Sequence, residues 1–218
     1  MPIPKVYSQG GDIAVNYDYQ DIVDGTGIIS YFAADASGAN VLTKVPMYSE
    51  LGATRASGAV TKITSFALVF NRPRVLKGRT FLNCPLAVVN NTGTTTTASA
   101  ATISWNVQKI TGGAANAITS GAYSCRWPGS LAGVTYYDIM SVAFDVPRTH
   151  FKIGDFLVFS LTNPGTINAG GQKEEYIYIG HDPGDRKVSM GLSAIGIEAV
   201  EWPYTSQTIL NLPFELVT

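Results

Sequence analysis

Apolar and polar residues alternate along much of the chain with the two-residue period of a β-strand. In the segment 61–71 the large side chains fall on the even-numbered positions, so that one face is heavy and faces a core. In the segment 101–110, Ile103, Trp105 and Val107 alternate with polar residues. Helical spacing is seldom sustained over three turns because Gly, Pro and Thr interrupt nearly every window. The pattern therefore predicts strands almost throughout.

Turn signals divide the remaining apolar runs at regular intervals. Pro-Gly, Asn-Pro-Gly and Asp-Pro-Gly sequences begin at Pro128, Asn163 and Asp182 and separate further predicted strands. Eight to ten strands at this spacing indicate a sandwich or barrel. The fold class predicted is all-β: a single jelly-roll-like antiparallel β-sandwich over residues 25–218, preceded by an extended N-terminal arm over residues 1–24.

The heavy faces of these strands also predict the core. Truncating one of its aromatic side chains to Ala is expected to cost about 3–5 kcal/mol. The set expected to include the main buried side chains is Phe66, Leu68, Phe70, Trp105, Phe144, Phe156, Val158 and Leu161.

Charge is scarce and balanced. The 218 residues include 15 Lys and Arg against 16 Asp and Glu, a formal net charge of −1. Charged residues make up 14% of the chain, compared with roughly 25% in an ordinary soluble domain. A protein that binds phosphate backbones needs a positive surplus. We therefore expect no nucleic-acid partner and an unusually neutral surface.

The N-terminus contains no apolar core of a secretory signal peptide, and no stretch of about 18 apolar residues is present to span a membrane. The two cysteines, Cys84 and Cys125, are too few for a disulfide framework and have no metal-ligand spacing, so we expect buried thiols. These features predict a protein made in a reducing cytoplasm, with no membrane partner and no metal or cofactor.

Candidate chemistry is sparse. His181-Asp182 opens the most polar segment, 181–186, which offers either a His/Asp pair or cation ligands, but Asp-Pro-Gly-Asp also has the composition of a tight turn, which we favour. The second histidine is His150, and the chain has no Gly-x-Ser-x-Gly nucleophile motif. No catalytic residue is nominated, and we expect the protein not to be an enzyme.

Two groups of residues are candidates for binding a partner. Arg72, Arg74, Lys77 and Arg79 place four cations within eight residues, which we call the basic corner; it fits an acidic neighbour or phosphate, or a solvated corner. Aromatic residues near turns would fit sugar stacking, a core or a subunit interface. These residues are Trp127, Tyr136, Tyr137, Trp202 and Tyr204.

Four segments together resemble β-sandwich proteins encoded in the structural gene clusters of tailed bacteriophages: FNRPRVLKG at 70–78, FKIGDFLVF at 151–159, GHDPGDR at 180–186 and LNLPFEL at 210–216. The resemblance implies a jelly-roll virion component that decorates or cements a capsid, with the major capsid protein or other virion proteins as partners. It implies no catalytic residue.

The predicted function is therefore a non-enzymatic capsid decoration protein located in the virion. We expect a homotrimer, since jelly rolls on icosahedral shells commonly meet at threefold points. In the arm, Ile3, Val6 and Tyr7 offer apolar side chains for a strand added to a neighbour. The alternatives are a receptor-binding or carbohydrate-binding sandwich of the phage tail and a hydrolase.

Overall fold

The computed structural model describes residues 27–36, 39–44, 52–55, 62–90, 100–127, 135–163, 175–193 and 196–215. This part of the chain is built from strands and turns, and none of it is helical. The all-β class predicted from the two-residue alternation is therefore confirmed. The expected N-terminal arm, residues 1–24, lies outside the described residues.

Thirteen strands are present in the described ranges. They are β1 (Ile28–Ala36), β2 (Ala39–Thr43), β3 (Ala53–Arg55), β4 (Lys62–Val69), β5 (Arg74–Asn90), β6 (Ala100–Thr111), β7 (Ala114–Arg126), β8 (Thr135–Phe151), β9 (Phe156–Asn163), β10 (Glu175–Gly180), β11 (Val188–Ser193), β12 (Gly196–Glu201) and β13 (Ile209–Pro213).

These strands form one hydrogen-bonded path that folds over itself. Its order is β12-β11-β3-β10-β5-β13-β1-β2-β4-β9-β6-β7, and β8 pairs with β5 beside the path. Strands β6 and β8 share no ladder, yet Trp105 of β6 stacks on Phe144 of β8 with ring centroids 4.3 Å apart. The half of the path that contains β4, β9, β6 and β7 therefore faces the half built around β5, as in a β-sandwich.

The main core lies between the two halves. Most of the predicted core set is found there: Phe66 and Leu161 are fully buried, and Trp105 is 6% exposed. Phe70 and Phe144 are also buried, whereas Leu68 packs against the core while only partly buried.

Within strand β9 the prediction was confirmed for Leu161 but was wrong for Phe156 and Val158. Phe156 is 38% exposed, whereas Leu157 and Phe159 are fully buried, and Val158 is half-buried. Strand β9 is hydrogen-bonded on both sides, to β4 and β6, and carries apolar side chains on both faces. Alternation alone could not identify its inner face.

Two further expectations are corrected. The strand number exceeds eight to ten because the short strands β2, β3, β11 and β12 have little alternation to reveal them. The ladders are also not all antiparallel, since β2 pairs with β4 and β3 with β11 in parallel.

Two glycine-containing sites shape the long strands. Gly112 and Gly113 both have positive φ, which fits the two-residue hairpin turn between β6 and β7. Lys77-Gly78 lies inside β5, where the register against β8 shifts between Leu76 and Gly78. Gly78 has φ 121°, a value that L side chains rarely adopt.

Candidate partner-binding site

The basic corner is divided between different surroundings. Arg72 lies in the connection from β4 to β5, and Arg74 is the first residue of β5, with its guanidinium carbon 5.4 Å from the Phe214 ring centroid. Lys77 lies at the irregularity of β5 and is exposed. Arg74 has an even-numbered position in β5 and Lys77 and Arg79 have odd-numbered ones, so their side chains leave the strand on opposite faces. The sequence spacing of the cations therefore does not translate into one patch.

Arg72 and Arg74 line a surface pocket of about 390 Å³ together with Lys44. Its apolar wall includes Tyr31 and Leu42. Lys44 lies more than twenty-five residues from the other two cations in the sequence, so no local motif signalled that it belongs with them. The pocket thus gathers three positive charges beside apolar surface.

Arg79 lies on the outer side of the sheet, opposite Asp145 in the β5–β8 ladder. Its guanidinium is 3.9 Å from the Asp145 carboxylate, and the two side chains are 62% and 76% exposed. An ion pair in such exposure contributes at most about 1 kcal/mol and weakens with salt. Of the other nominated residues, Ile3, Val6 and Tyr7 lie outside the described residues.

The outer side of strands β8, β5, β13 and β1 carries a neutral sheet face that the sequence analysis did not identify. Its cross-strand neighbours are connected through the ladders, with Phe81 opposite both Ala143 and Asn211. Phe81 is 45% exposed near its centre. The face consists of Ser30, Phe81, Asn83, Ser141, Ala143 and Asn211.

Polar side chains on the neutral sheet face satisfy one another. Ser141 Oγ donates a hydrogen bond of 2.8 Å to Asn83 Oδ1, and Ser30 Oγ donates one of 2.6 Å to Asn211 Oδ1. These hydrogen bonds are kept when a partner displaces water from the face. Covering the face therefore leaves fewer polar atoms without hydrogen-bond partners than covering a face whose polar side chains bond only to water.

The segment 181–186 forms the tight turn that its composition predicts. Gly184 N–H donates to Asp182 Oδ1 at 3.1 Å, and Asp185 N–H donates to the Asp182 carbonyl at 3.0 Å. Asp182 is fully buried and accepts a 2.5 Å hydrogen bond from Arg186 Nε. The turn is therefore anchored into the fold by a buried carboxylate.

Asp185 connects this turn to the segment before β13. Its Oδ1 accepts hydrogen bonds of 2.9 Å from Thr205 Oγ1 and Ser206 N–H. Burial opposes ionisation of Asp185, but these bonds and the Lys187 ammonium outweigh it, so that the pKa of the carboxyl lies below its ordinary value. The carboxylate thus serves as a structural acceptor.

The two histidines have different surroundings. His181 is fully buried, with Nε2 2.7 Å from Thr54 Oγ1 and its ring 5.4 Å from that of Phe66. His150 is exposed, and its Nε2 lies 2.8 Å from Arg148 Nη1. A histidine–hydroxyl pair therefore exists, but His181 is inaccessible to a substrate.

The thiols of Cys84 and Cys125 are free and buried, as expected. Burial raises the pKa of both to about 12, and the charge of Asp138 adds to the effect at Cys125. Thiols of this kind are poor nucleophiles. Within the described ranges, no group of three or more His, Cys, Asp or Glu residues has the arrangement of a metal site.

A second, smaller core lies on the outer side of the sheet beyond the neutral sheet face. Tyr178 of β10, Val200 of β12 and Trp202 are packed there and almost fully buried. Beside it opens a cleft of about 500 Å³, which we call the tyrosine cleft. Its walls include Val89, Thr135, Tyr137, Tyr178, Val200 and Glu201.

The tyrosine cleft brings together some of the aromatic residues that the sequence analysis considered for sugar stacking. The Tyr137 and Trp202 ring centroids are 6.1 Å apart. Burial raises the pKa of Tyr137, a Thr135 hydrogen bond opposes the shift, and the nearby Glu201 carboxylate adds to it. Trp127 is instead part of the main core, and Tyr204 is 70% exposed.

No family model and no curated protein sequence matches the chain. Solved structures do share its fold. An α-amino acid ester hydrolase has a TM-score of 0.53 at 8% identity over 85% of this chain. An aminopeptidase from a marine sediment Thaumarchaeota archaeon has a TM-score of 0.52 at 7% identity over 87% of this chain.

A CocE/NonD family hydrolase from Staphylococcus aureus has a TM-score of 0.45 at 11% identity. The chain spans 36% of the ester hydrolase and 37% of each of the other two proteins. At these identities the two higher scores establish a shared β-sandwich architecture and carry no information about activity. No helix in the described ranges has the length and apolar character needed to cross a bilayer.

Proposed function

We propose that this protein is a non-enzymatic structural component of a tailed-phage virion, a decoration protein that binds the outer capsid shell and stabilises it through subunit contacts. The observation that carries the proposal is the neutral sheet face. A chain in which 14% of residues are charged leaves, on the outer side of four neighbouring strands, a stretch of Ser, Asn, Ala and Phe bordered by the exposed Arg79–Asp145 pair. Such a surface is suited to being covered by another subunit.

Desolvation is the main reason. Each buried polar group left without a partner costs about 1–3 kcal/mol. On the neutral sheet face, the Ser141–Asn83 and Ser30–Asn211 hydrogen bonds lie within the face itself. The exposed part of Phe81 then supplies apolar surface whose burial favours association.

The area of the neutral sheet face is too small for this face to form the whole interface. Four strands spaced about 4.8 Å apart, and two rows of side chains about 6.6 Å apart along the strands, give a patch of about 20 by 13 Å. That area, about 260 Å², is a third of the roughly 800 Å² that one partner contributes to a standard interface. We propose that the arm, with Ile3, Val6 and Tyr7, contributes the remainder by adding to a neighbouring copy in a trimer.

The basic corner would contribute contacts to acidic groups of the major capsid protein at two separate places. Arg72 and Arg74 would do so at the surface pocket, and Lys77 and Arg79 at the outer side of β5. Each exposed ion pair contributes no more than about 1 kcal/mol to the binding free energy and weakens with salt. These pairs would therefore set the orientation of the subunit on the shell and add little to its affinity. Reversing two of these charges should reduce occupancy on particles most strongly at low salt.

The hydrolase alternative is less well supported. The α-amino acid ester hydrolase and the aminopeptidase are matched over little more than a third of their length. The nearest approach to a catalytic pair among the described residues is His181 with Thr54, and His181 is sealed against Phe66. We infer that this pair has a structural role.

The test compares two outward-facing apolar positions on opposite layers. Phe81→Asp places a charge in the neutral sheet face, and Ile63→Asp places one on β4, where Ile63 is 63% exposed. Light scattering of the full chain should give a trimer for the wild type and Ile63→Asp, and a monomer for Phe81→Asp. Occupancy on purified particles, imaged by electron microscopy, should be equal for the wild type and Ile63→Asp and lower for Phe81→Asp.

A second variant, which lacks residues 1–20, tests the role of the N-terminal arm. The sandwich should remain folded by circular dichroism while occupancy on particles falls. A wild-type protein that is monomeric at micromolar concentration and absent from particles would overturn the proposal, as would a Phe81→Asp variant that assembles normally.

A further inference from the structure

Three cations line the surface pocket of about 390 Å³ described above, which we call the basic pocket. They are Lys44, Arg72 and Arg74, and the described residues that line the pocket include no Asp or Glu. All three side chains are half-buried, and the apolar lining around them includes Leu42 and Phe70. Water and salt screen a half-buried charge less than an exposed one. The basic pocket is therefore suited to an occupant that carries several carboxylates together with apolar side chains.

The basic pocket lies beside the first described residue of the chain, Gly27. The Gly27 carbonyl accepts a hydrogen bond from the Phe214 N–H. The centroid of the Phe214 ring is 5.4 Å from the Arg74 guanidinium carbon and 6.5 Å from the centroid of the Tyr31 ring. Arg74 and Tyr31 both line the pocket. The residues that precede Gly27 are therefore joined to the sandwich next to the basic pocket.

The residues just before Gly27 have the composition that this pocket requires. Asp18, Asp21 and Asp24 lie within the segment 18–24, which we call the acidic segment, and no other seven-residue stretch of the sequence contains three acids. No Lys or Arg occurs between positions 5 and 44, so the neighbouring sequence offers these carboxylates no cation. The apolar and aromatic side chains of the acidic segment are Tyr19, Ile22 and Val23.

The length of chain between the acidic segment and Gly27 permits contact with the pocket of the same subunit. Asp24 precedes Gly27 by three residues, and an extended chain rises about 3.3 Å per residue, so the two Cα atoms are at most about 10 Å apart. A segment on so short a tether has an effective concentration of millimolar order at the pocket. The tether therefore favours the acidic segment over a carboxylate on a separate molecule.

We propose that the acidic segment of each chain docks in the basic pocket of the same chain. Its carboxylates pair with Lys44, Arg72 and Arg74, and its apolar side chains cover the apolar lining. An acidic group of another protein then reaches Arg72 and Arg74 only by displacing the segment. Because the contact lies within one chain, this inference does not depend on the function proposed above.

Zero-length cross-linking of the full chain identifies the occupant. A carbodiimide joins a lysine amine to a carboxylate that touches it, and the reagent takes up the water released. Mass spectrometry should find Lys44 joined to an acid of the acidic segment. Lys77 is the internal control, because it is exposed and lies on the opposite face of β5 from Arg74, and it should not join to these acids.

A mixture of ¹⁵N-labelled and unlabelled protein shows which chain supplies the acid. The cross-linked peptides should both carry the same label. Cross-links between differently labelled chains would show that the occupant comes from a second copy and would overturn the proposal. The absence of any cross-link between Lys44 and the acidic segment would also overturn it.

Hydrogen exchange of the full chain tests the contribution of the arginines. With labelling times of milliseconds to seconds, the amides of residues 21–26 should exchange more slowly than in a free peptide of the same sequence. Arg74→Gln removes one ion pair and should raise their exchange rate about fivefold. Arg79→Gln is the matched control, because Arg79 lies on the other face of the same strand, where it pairs with Asp145. It should leave the exchange rate unchanged.

Asp24→Asn tests the same contact from the other side and leaves every residue of the sandwich in place. It should raise the exchange rate as Arg74→Gln does, and combining the two should add little to either, since both remove the same pair. Asp12→Asn, an acid outside the acidic segment, should have no effect. The proposal is overturned if residues 21–26 exchange in the wild type as they do in the peptide, or if Asp24→Asn changes their exchange no more than Asp12→Asn does.

Discussion

Gly121 is the position where one methyl group should have the largest effect on the sandwich. It lies opposite Trp105 in the β6–β7 ladder. A Cβ at residue 121 would lie 2.4 Å from Trp105 Cζ2 and 2.7 Å from Cε2. The indole has little room to retreat, because it is 6% exposed and stacks on Phe144 at 4.3 Å. Gly121→Ala must therefore displace the indole or bend β7.

The size of the effect follows from two opposing contributions. Overpacking of this kind costs about 1–3 kcal/mol. Replacing glycine by alanine inside a strand recovers about 0.5–1 kcal/mol of conformational entropy. Because the approach of 2.4 Å puts the overpacking cost at about 2–3 kcal/mol, the net loss in the free energy of unfolding should be about 1–2.5 kcal/mol, which lowers Tm by about 2–10 °C for a chain of this length.

A double-mutant cycle with Trp105→Phe measures whether the indole is the cause. The smaller side chain lacks the outer indole atoms that approach Gly121, so Gly121→Ala in that background should be neutral or stabilising by about 0.5–1 kcal/mol. Ser120→Ala, at an exposed position of the same strand, should change stability by less than about 0.5 kcal/mol. Equal losses in both backgrounds, measured by urea unfolding, would refute the argument.

Three further predictions concern the core, the thiols and acid stability. Phe159→Ala should cost about 3–5 kcal/mol in urea unfolding, whereas Phe156→Ala, at a 38% exposed position of the same strand, should cost clearly less; equal losses would contradict the register of β9. Cys84 and Cys125, with pKa values raised to about 12, should resist a thiol reagent at pH 8 in the native protein and react fully in denaturant. Hydrogen bonds from the Lys152 backbone N–H and the Lys109 ammonium lower the pKa of Asp155. The contribution of the Asp155 carboxylate to stability is therefore present above the ordinary pKa of 3.8 and is lost as pH falls through the lower pKa of the folded protein. Asp155→Asn should be less stable than wild type at pH 7, and the difference should shrink in acid titrations monitored by circular dichroism.

Alternation predicted strands well where one face is polar. In β6 the sequence shows Ile103, Trp105 and Val107 between polar residues, and all three are buried. In β9 the sequence Phe-Leu-Val-Phe is apolar on both faces, so the period could not distinguish Phe156 from Leu157. Which face of β9 is buried depends on how β9 pairs with β4 and β6, and this pairing is a property of the tertiary structure.

The candidate surfaces were harder to predict for a related reason. Tyr137, Tyr178 and Glu201 come from three different strands, separated by more than twenty residues each, and meet only through the ladders and the covering β12. No local spacing encodes such a site. The turn at 181–186, by contrast, is specified by its own residues and was predicted correctly from Asp-Pro-Gly-Asp.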